Sequence, residues 1–377
     1  MTSAARWGIA VATASVVLLT ACSGDEGESP GASPTTGPSA TAPTTAGGTS
    51  PAPSASRGTP DLSRPETMAT GLDTPWGLAF LPGGDALVAE RDTARIMRIP
   101  AGGGEPREVY KVPGVAAGGE GGLLGLAVAE DYAKTKLVYA YFTAATDNRI
   151  VRFTLGSSAA PTAVFDGIDK AGIHNGGRIA FGPDKMLYVG TGDASDRPTS
   201  QNPDDANGKI LRLTPEGKPA PGNPKAGSPV WSLGHRNVQG LAWTADKTMY
   251  AAEFGQNRFD ELNKIEPGRN YGWPEVEGTA NDDRFVNPVA TWTTEEASPS
   301  GVAIAGNTAY VAGLRGERLW TVPLGGGKPK AELTEKYGRL RTVAVAPDGA
   351  LWVTTSNTDG RGDVRDGDDR VLRFPAR

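Results

Sequence analysis

Ile179-Ala180-Phe181-Gly182-Pro183-Asp184-Lys185-Met186-Leu187-Tyr188-Val189 joins an apolar triplet, a turn and a second apolar run. The chain contains six copies of this order, and each copy begins with a triplet that has alanine at its centre. The other triplets are Leu78-Ala79-Phe80, Leu126-Ala127-Val128, Leu241-Ala242-Trp243, Val302-Ala303-Ile304 and Val343-Ala344-Val345. Short apolar runs separated by Gly, Pro and Asp turns indicate strands and exclude long helices.

A third element follows in every copy and alternates apolar with charged or polar residues. Its copies are Arg95-Ile96-Met97-Arg98-Ile99, Arg149-Ile150-Val151-Arg152-Phe153, Lys209-Ile210-Leu211-Arg212-Leu213, Glu261-Leu262-Asn263-Lys264-Ile265, Arg318-Leu319-Trp320-Thr321-Val322 and Arg370-Val371-Leu372-Arg373-Phe374. Two-residue alternation predicts a strand with one exposed face, so we interpret this element as the outer, half-exposed strand of each unit. A unit of several strands that recurs about every 50–60 residues is typical of a propeller blade.

The six copies therefore predict an all-β protein with one six-bladed β-propeller at residues 65–377. The central alanine of each triplet suits an inner strand, where the blades converge on a narrow channel. The alternative is a β-sandwich that resembles the repeat by coincidence. Six copies of a three-part pattern disfavour that alternative.

The N-terminal region has the composition of an export signal followed by a tether. Arg6 precedes an apolar stretch from Trp7 to Leu19, which is too short to span a bilayer comfortably. Leu19-Thr20-Ala21-Cys22 resembles the bacterial lipobox, and Cys22 is the only cysteine of the chain. We predict a lipoprotein signal peptide at residues 1–21 and a lipidated Cys22. The alternative is an ordinary signal peptide with a chance cysteine.

Residues 22–64 consist mainly of Gly, Ala, Ser, Pro and Thr and contain few large apolar side chains. Such a segment cannot repay the entropy of folding, so we predict a disordered tether. The protein is then expected outside the cytoplasm, attached to the membrane through its lipid anchor alone. The formal net charge of −5 and the absence of a basic stripe give no electrostatic support for nucleic-acid binding.

Polar residues just before the inner strands are the first candidates for chemistry, because propellers carry function on loops at one end of the channel. His174, one of two histidines, precedes a pair of glycines and an inner strand. Asp193 ends the next strand and could orient the imidazole, which would make His174 a general base. A structural role is the alternative for a lone histidine.

Arginines recur at the same predicted end of the propeller. Arg236 and Asn237 precede one inner strand, and Arg339 and Arg341 open the last blade. Together with Arg315 they predict a cationic pocket for a small polyanion with several carboxylates or phosphates. The alternatives are structural hydrogen bonding by Arg236 and simple solvation of the others.

Oxygen donors are concentrated between the fourth and fifth triplets. Gly255 and Gln256 offer carbonyls in a turn, and Asp260 and Glu261 follow. Hard oxygen ligands suit Ca²⁺ better than Zn²⁺. An acidic pair alone is more often a solvated turn.

Five motifs in order resemble the glucose/sorbosone dehydrogenase family, the soluble quinoprotein aldose dehydrogenases. They are Gly119-Glu120-Gly121-Gly122-Leu123-Leu124-Gly125, His174-Asn175-Gly176-Gly177-Arg178, Gly234-His235-Arg236-Asn237, Asn270-Tyr271-Gly272-Trp273-Pro274 and Gly338-Arg339-Leu340-Arg341. The resemblance covers about Pro65 to the C-terminus. It implies a six-bladed propeller that uses pyrroloquinoline quinone (PQQ) and Ca²⁺.

The resemblance also implies roles for individual residues. His174 would take the sugar hydroxyl proton while hydride moves from C1 to the quinone, and Asp193 would orient it. Arg236 and Asn237 would lie at the quinone oxygens. Arg315, Arg339 and Arg341 would bind the PQQ carboxylates, and Glu120 would lie near the substrate. The carbonyls of Gly255 and Gln256 would hold the catalytic Ca²⁺, whereas Asp260, Glu261 and the Tyr271 carbonyl match a second, structural Ca²⁺.

The predicted activity is oxidation of an aldose at C1 to the lactone, with electrons passed to an external acceptor. Departures from the family pattern concern substrate and assembly. Arg315 replaces a Lys, and Val238 and Gln256 replace prolines. The stretch from Asp193 to Lys209 lacks the long insertion of the glucose-specific type, and we expect a monomer. Alternatives are a non-catalytic propeller that binds a glycan or a protein, and a Ca²⁺-dependent lactonase, which would need a carboxylate-rich channel mouth.

Overall fold

The computed structural model describes residues 58–377, which form six four-stranded antiparallel sheets. The signal peptide, Cys22 and most of the tether lie outside the described residues. The first strand along the chain is β1 (Glu66–Ala69). The next two sheets contain β2 (Pro75–Phe80), β3 (Ala86–Glu90), β4 (Arg95–Ile99) and β5 (Arg107–Lys111), then β6 (Leu123–Val128), β7 (Leu137–Thr143), β8 (Asn148–Thr154) and β9 (Thr162–Ile168).

The remaining sheets repeat the same order of strands. They contain β10 (Ile179–Phe181), β11 (Leu187–Gly190), β12 (Lys209–Leu213) and β13 (Val230–Leu233), then β14 (Val238–Trp243), β15 (Met249–Glu253), β16 (Asp260–Ile265) and β17 (Ala290–Trp292). The last two contain β18 (Pro299–Ala305), β19 (Thr308–Gly313), β20 (Arg318–Pro323) and β21 (Lys330–Glu332), then β22 (Leu340–Val345), β23 (Leu351–Thr355) and β24 (Val371–Phe374). The predicted six-bladed β-propeller is confirmed.

The ring closes through the first strand. β1 pairs with β24, with Glu66 opposite Arg373 and Thr67 opposite Leu372, so the last blade takes its outer strand from the N-terminal end. This pairing ties together residues that are about 300 positions apart, and the Arg373–Glu66 ion pair of 2.5 Å lies on the same sheet. The closure makes the blades one continuous structure.

The interpretation of the alternating element as the outer strand was wrong. It forms the third strand of each blade, and a fourth strand pairs outside it. In β12 all five residues are buried, including Lys209. Some outer strands, such as β21 with its sequence Lys-Ala-Glu, are short and polar and therefore carry little hydrophobic periodicity.

Helices are short in the described residues, as predicted. They are one α-helix, α1 (Tyr132–Thr135), and one 3₁₀ helix at Arg197–Gln201. No helix within residues 58–377 is long and apolar enough to cross a membrane.

The inner strands β2, β6, β10, β14, β18 and β22 carry the alanine triplets and surround the channel. They approach closely because small residues face the neighbouring blade. A Cβ at Gly125 would overlap the carbonyl oxygen of Gly177, and one at Gly240 would crowd the carbonyl oxygen of Ser300. The hydrophobic core lies between adjacent sheets, where Tyr139 packs edge-on against Phe181. All six inner strands start at the same end of the channel, so the loops before them meet there.

Candidate active site

His174 lies at the channel end where the inner strands start, in the loop before β10. Its backbone has φ = 60°, and the loop is fixed by the Tyr141 hydroxyl, which donates to the Asn175 carbonyl over 2.8 Å. His174 Nδ1 lies 2.7 Å from Asp193 Oδ1, and Nε2 lies 2.7 Å from Nη2 of Arg236. Because a guanidinium only donates, Nε2 must accept and Nδ1 must carry the proton. The structure therefore defines one neutral tautomer, with its lone pair on the Arg236 side.

The Asp193 carboxylate holds this imidazole, and both of its oxygens accept hydrogen bonds. Oδ1 also accepts from the backbone N–H of Ser195 over 2.8 Å, and Oδ2 accepts from Trp273 Nε1 over 2.8 Å. Burial favours the neutral acid, but the hydrogen bonds from His174, Ser195 and Trp273 outweigh it and lower the pKa of Asp193. Asp193 therefore stays ionised beside the imidazole. A side chain at Gly192 would overlap the His174 carbonyl, so glycine allows this approach.

Arg236 connects His174 to the predicted metal turn. Its guanidinium donates to the Gln256 side-chain oxygen over 2.6 Å and to the Phe254 carbonyl over 3.2 Å, and it lies 5.4 Å from the Trp273 ring centre. Burial lowers its pKa from the ordinary value. The trio His174, Asp193 and Arg236 is thus brought together as predicted.

Asn237 is buried beside this trio with one free donor. Its side-chain oxygen accepts from the Gly176 backbone over 2.9 Å. Its amide nitrogen Nδ2 is buried without a hydrogen-bond partner in the described residues. A buried unpaired donor is costly, so this amide is available to a bound molecule.

A cavity of about 300 Å³ opens beside these residues, and the predicted cationic side chains line it. Glu120, Arg315, Arg339 and Arg341 all line it, as the sequence predicted. The other lining residues are Arg91, Gln239, Phe254, Ser298, Leu314 and Arg361. The mouth is arginine-rich, which is the reverse of the carboxylate-rich mouth that a lactonase would need.

The arginines are not all free to bind an anion. Asp359 is buried and accepts from Arg339 over 2.9 Å and from Arg341 over 3.4 Å. Arg341 also donates from Nη1 to Gln239 over 3.0 Å, but its Nε is buried without a partner among the described residues. Burial lowers the pKa of Arg341 to about 9. This value is still above neutral pH, so the guanidinium remains cationic there. Arg315 is largely exposed and only 3.4 Å from the exposed Glu295.

Glu120 connects two sides of the cavity. One oxygen accepts from the His174 backbone N–H over 3.0 Å, and the other pairs with Arg361 at 3.1 Å. Burial opposes ionisation, but the His174 backbone and Arg361 lower the pKa of Glu120. The negative carboxylate therefore lies beside the candidate base.

The predicted metal turn is held by an acidic clamp. One oxygen of Glu277 accepts from the backbone N–H groups of four consecutive residues, 256–259, at 2.7–3.0 Å. Burial opposes its charged form, but these bonds lower the pKa of Glu277. No hydrogen bond within residues 58–377 uses the carbonyl oxygen of Gly255 or Gln256. The turn thus leaves both predicted carbonyl ligands available.

The structure does not bring the second predicted calcium ligands together. Asp260 accepts from the Gly255 and Ser298 backbones, and burial raises its pKa to about 7. Glu261 lies on the other face of β16 and accepts from Gly278 and Asn263. The Tyr271 ring stacks on His235, with ring centres 4.7 Å apart, and its carbonyl, the third predicted ligand, accepts no hydrogen bond within residues 58–377. Within residues 58–377, no cluster of three His, Cys, Asp or Glu side chains has metal-site geometry.

The second histidine shows how context decides a role. His235 Nδ1 pairs with Glu253 at 2.5 Å and Nε2 bonds to Ser232 at 2.8 Å. The spacing imitates a Ser-His-acid triad, but Ser232 and His235 are 0% exposed. No substrate can reach this group, so it is structural.

Sequence reasoning missed five contributors to the site. Trp273 stands inside an identified motif and Gln239 two residues after another, but nothing local indicated their partners. Arg361, Asp359 and Glu277 lie in polar loops without a pattern. Each partner is distant in sequence: the Trp273–Asp193 bond spans 80 positions and the Arg361–Glu120 pair spans 241.

An oriented imidazole beside a cationic cavity, at one mouth of a six-bladed propeller, defines a propeller enzyme that binds a small anionic group. Comparison of the chain with known protein families and structures defines this class further. The chain belongs to the glucose/sorbosone dehydrogenase family, whose model matches residues 72–365.

Two solved structures and one curated relative illustrate the similarity. The PQQ-bound aldose sugar dehydrogenase from Streptomyces coelicolor is 56% identical, with a TM-score of 0.81 over 85% of this chain and 100% of that one. A putative glucose dehydrogenase from Thermus thermophilus is 45% identical, with a TM-score of 0.77 over 82% and 99% of the two chains. The aldose sugar dehydrogenase YliI of Escherichia coli is 28% identical over 78% of this chain and 90% of its own length.

Proposed function

We propose that this protein is a PQQ- and Ca²⁺-dependent aldose sugar dehydrogenase that oxidises the C1 position of a sugar to the lactone and passes electrons to an external acceptor. The observation that carries the proposal is the His174 imidazole, whose Nε2 lone pair is defined by Asp193 on one side and Arg236 on the other. The PQQ in the Streptomyces coelicolor structure supports the cofactor assignment.

The residues present fit PQQ. Asn237 Nδ2 and Arg341 Nε are buried donors without partners in the described part of the chain. Arg315, Arg339 and Arg341 line one cavity and match carboxylate groups in charge. When bound, PQQ supplies a two-electron acceptor. Asn237 and Arg236 would then face its quinone oxygens, and the three arginines would hold its carboxylates.

The turn at Gly255 and Gln256 fits the catalytic Ca²⁺. The two carbonyls accept no hydrogen bond from the described part of the chain, and carbonyl oxygens are typical calcium ligands. Gly255 is required at this place, because a Cβ would overlap the Phe259 carbonyl. The Glu277 clamp keeps the turn in one conformation before any ion arrives. For the second Ca²⁺, the separation of Asp260 from Glu261 offers no preformed cage.

The protein's own residues accept the proton and stabilise the resulting charge. His174 Nε2 accepts the proton of the C1 hydroxyl, and the hydride lost from C1 would go to bound PQQ as the two-electron acceptor. Asp193 keeps the Nδ1–H bond and stabilises the imidazolium that forms. Arg236 moves off Nε2 to admit the hydroxyl and remains near as a fixed cation. Glu120, which bonds to the His174 backbone, is placed to accept a hydrogen bond from a neighbouring sugar hydroxyl.

Reconstitution tests the proposal. The full-length chain is mixed with PQQ and Ca²⁺, and dye reduction is followed over a panel of aldoses, with lactone identified as the product. We expect a bound-PQQ absorption spectrum and sugar-dependent dye reduction. Absence of both removes the proposal, whereas a spectrum without dye reduction on any sugar favours a non-catalytic binding protein.

We also propose, from the sequence alone, that Cys22 is lipidated and that the protein is a monomer anchored outside the cytoplasmic membrane. Fractionation of cells that produce the wild type or Cys22→Ala checks the anchor. Release of the variant with retention of the wild type supports it, and equal release of both contradicts it.

A further inference from the structure

A second cavity occupies the opposite end of the central channel. It has a volume of about 640 Å³, within the range of small-molecule sites, and all six inner-strand triplets line it. The triplets supply Leu, Ile, Val, Ala, Phe and Trp residues, and polar groups share the wall with them. Charged residues in the lining, besides Arg178, are Glu130, Lys185, Asp348 and Arg377. Gly58, the first described residue, also lines the cavity.

Arg178 lines this cavity and is absent from the lining of the active-site cavity. It immediately precedes β10 and is 8% exposed. Its Nε donates to the Gln239 carbonyl over 2.6 Å, and its Nη2 donates to Thr342 over 2.9 Å. Both partners lie near the starts of their inner strands. Arg178 therefore lies at the inner end of the cavity, in the layer that separates it from the active site.

The guanidinium lacks a counter-ion. Nη1 makes no hydrogen bond within residues 58–377, and no carboxylate lies within ion-pair distance of Arg178 there. The neighbouring charge is Arg341, another cation, which together with burial lowers the pKa of Arg178 to about 9. The group is still predominantly charged at neutral pH. A largely buried cation without an anionic partner in the described residues is costly, and an anion bound in the cavity would compensate it.

Other buried cations of the protein are compensated. Lys209 donates to the carbonyls of Thr199, Ser200 and Asn207 at 2.6–3.2 Å, and Arg341 pairs with Asp359. Within residues 58–377, Arg178 has two acceptors for its five N–H groups. Its plane also lies 4.3 Å from the Trp76 ring centre, which orients the guanidinium.

We propose that the channel cavity binds a carboxylate with an unbranched apolar tail, whose head group pairs with Arg178 and whose tail lies along the alanine triplets. The cation selects an anion, and the apolar part of the wall, which is the larger part, favours a hydrocarbon tail over a second polar group. A small inorganic anion would satisfy Arg178 but would leave the apolar walls uncovered. This site is distinct from the proposed catalytic one, so its test does not depend on dehydrogenase activity.

Calorimetric titration with straight-chain carboxylates tests the site. Butanoate, hexanoate, octanoate and decanoate are titrated into the full-length chain carrying Cys22→Ala, which removes the predicted acylation site. Each added methylene that becomes buried should tighten the Kd by about fourfold until the cavity is filled. Quenching or enhancement of Trp76 fluorescence should accompany binding, because the guanidinium lies against that ring.

Two variants separate the specific contact from general attraction. Arg178→Met should abolish binding, whereas Lys185→Met, which removes an exposed cation at the cavity margin, should retain it within about threefold. Ala303→Leu narrows the cavity without touching Arg178 and should weaken decanoate more than hexanoate. This variant keeps the test decisive if Arg178→Met fails to fold.

Three results would overturn the proposal. The first is no binding of any acid to the protein with Arg178 intact. The second is equal affinity of all four acids together with equal binding of chloride, which would show a small-anion site. The third is binding that Ala303→Leu leaves unchanged at every chain length.

Discussion

The two ends of the propeller channel are built by the same six inner strands, yet they differ in chemistry. Where the strands start, Glu120 lines a polar cavity and bonds to the His174 backbone, and His174 in turn contacts Arg236. Where the strands finish, the triplets form a wall with more apolar than polar surface. The repeat itself produces the apolar end, because each copy contributes the same pattern. Function at the other end comes from the segments in which the copies differ.

The largest expected effect is at the polar end. His174→Ala should lower kcat by about 10²–10⁴-fold, because it removes the base, while PQQ binding persists through the arginines. Stopped-flow reduction of the bound quinone by sugar measures the step. Lys247→Gln, in an exposed turn at the other end, should leave kcat unchanged. Full turnover in His174→Ala would show that another group takes the proton.

The next effect concerns the buried cation that faces the active-site cavity. Arg341→Met should weaken PQQ binding by about 10–100-fold, because a charge-assisted hydrogen bond is lost in a buried site. Spectroscopic titration of the protein with PQQ in excess Ca²⁺ gives the Kd. An unchanged Kd would remove Arg341 from the cofactor site and weaken the contrast between the two ends.

A smaller effect is expected from Trp273, the indole that donates to Asp193. Trp273→Phe keeps an aromatic ring under Arg236 but removes the N–H, and kcat should fall by about tenfold with little change in KM. Loss of a hydrogen bond to the carboxylate raises the pKa of Asp193, so the acid limb of the pH–rate profile should move to higher pH.

Trp292→Phe provides a matched control for this indole. Trp292 Nε1 is buried without a partner in the described structure, so its loss removes no hydrogen bond. We expect an unchanged kcat and an unchanged pH profile. If both variants lose activity equally, with no shift in the acid limb, Trp273 has only a packing role.

The smallest effect is expected at Arg315. Its side chain is largely exposed, so Arg315→Gln should weaken PQQ binding by no more than about threefold, and the difference should vanish at high salt. Titrations at low and high ionic strength measure this. A loss as large as that of Arg341→Met would show that Arg315 closes over the cofactor.

Sequence reasoning recovered the blade number and most of the polar site. The triplets predicted the inner strands, and His174, Arg236, Arg339 and Arg341 stood out because they lie just before or at the start of those strands. Asp193 and Arg315 instead follow second strands, β11 and β19. It misplaced the alternating strand as the outer one, since β5 and β21 are short and polar and gave no periodic signal. It also grouped Asp260 with Glu261, although neighbouring strand residues point to opposite faces.

The sequence by itself determined the repeat, the six blades and the end at which the loops carry chemistry, because burial leaves a periodic trace along a strand. Tertiary structure alone decided which charges are paired. Asp359 pairs with two arginines, Trp273 donates a hydrogen bond to Asp193, and Arg178 has no anionic partner among the described residues. Hydrogen bonds and ion pairs act over a few ångströms between residues that are far apart in sequence, and no local pattern records them.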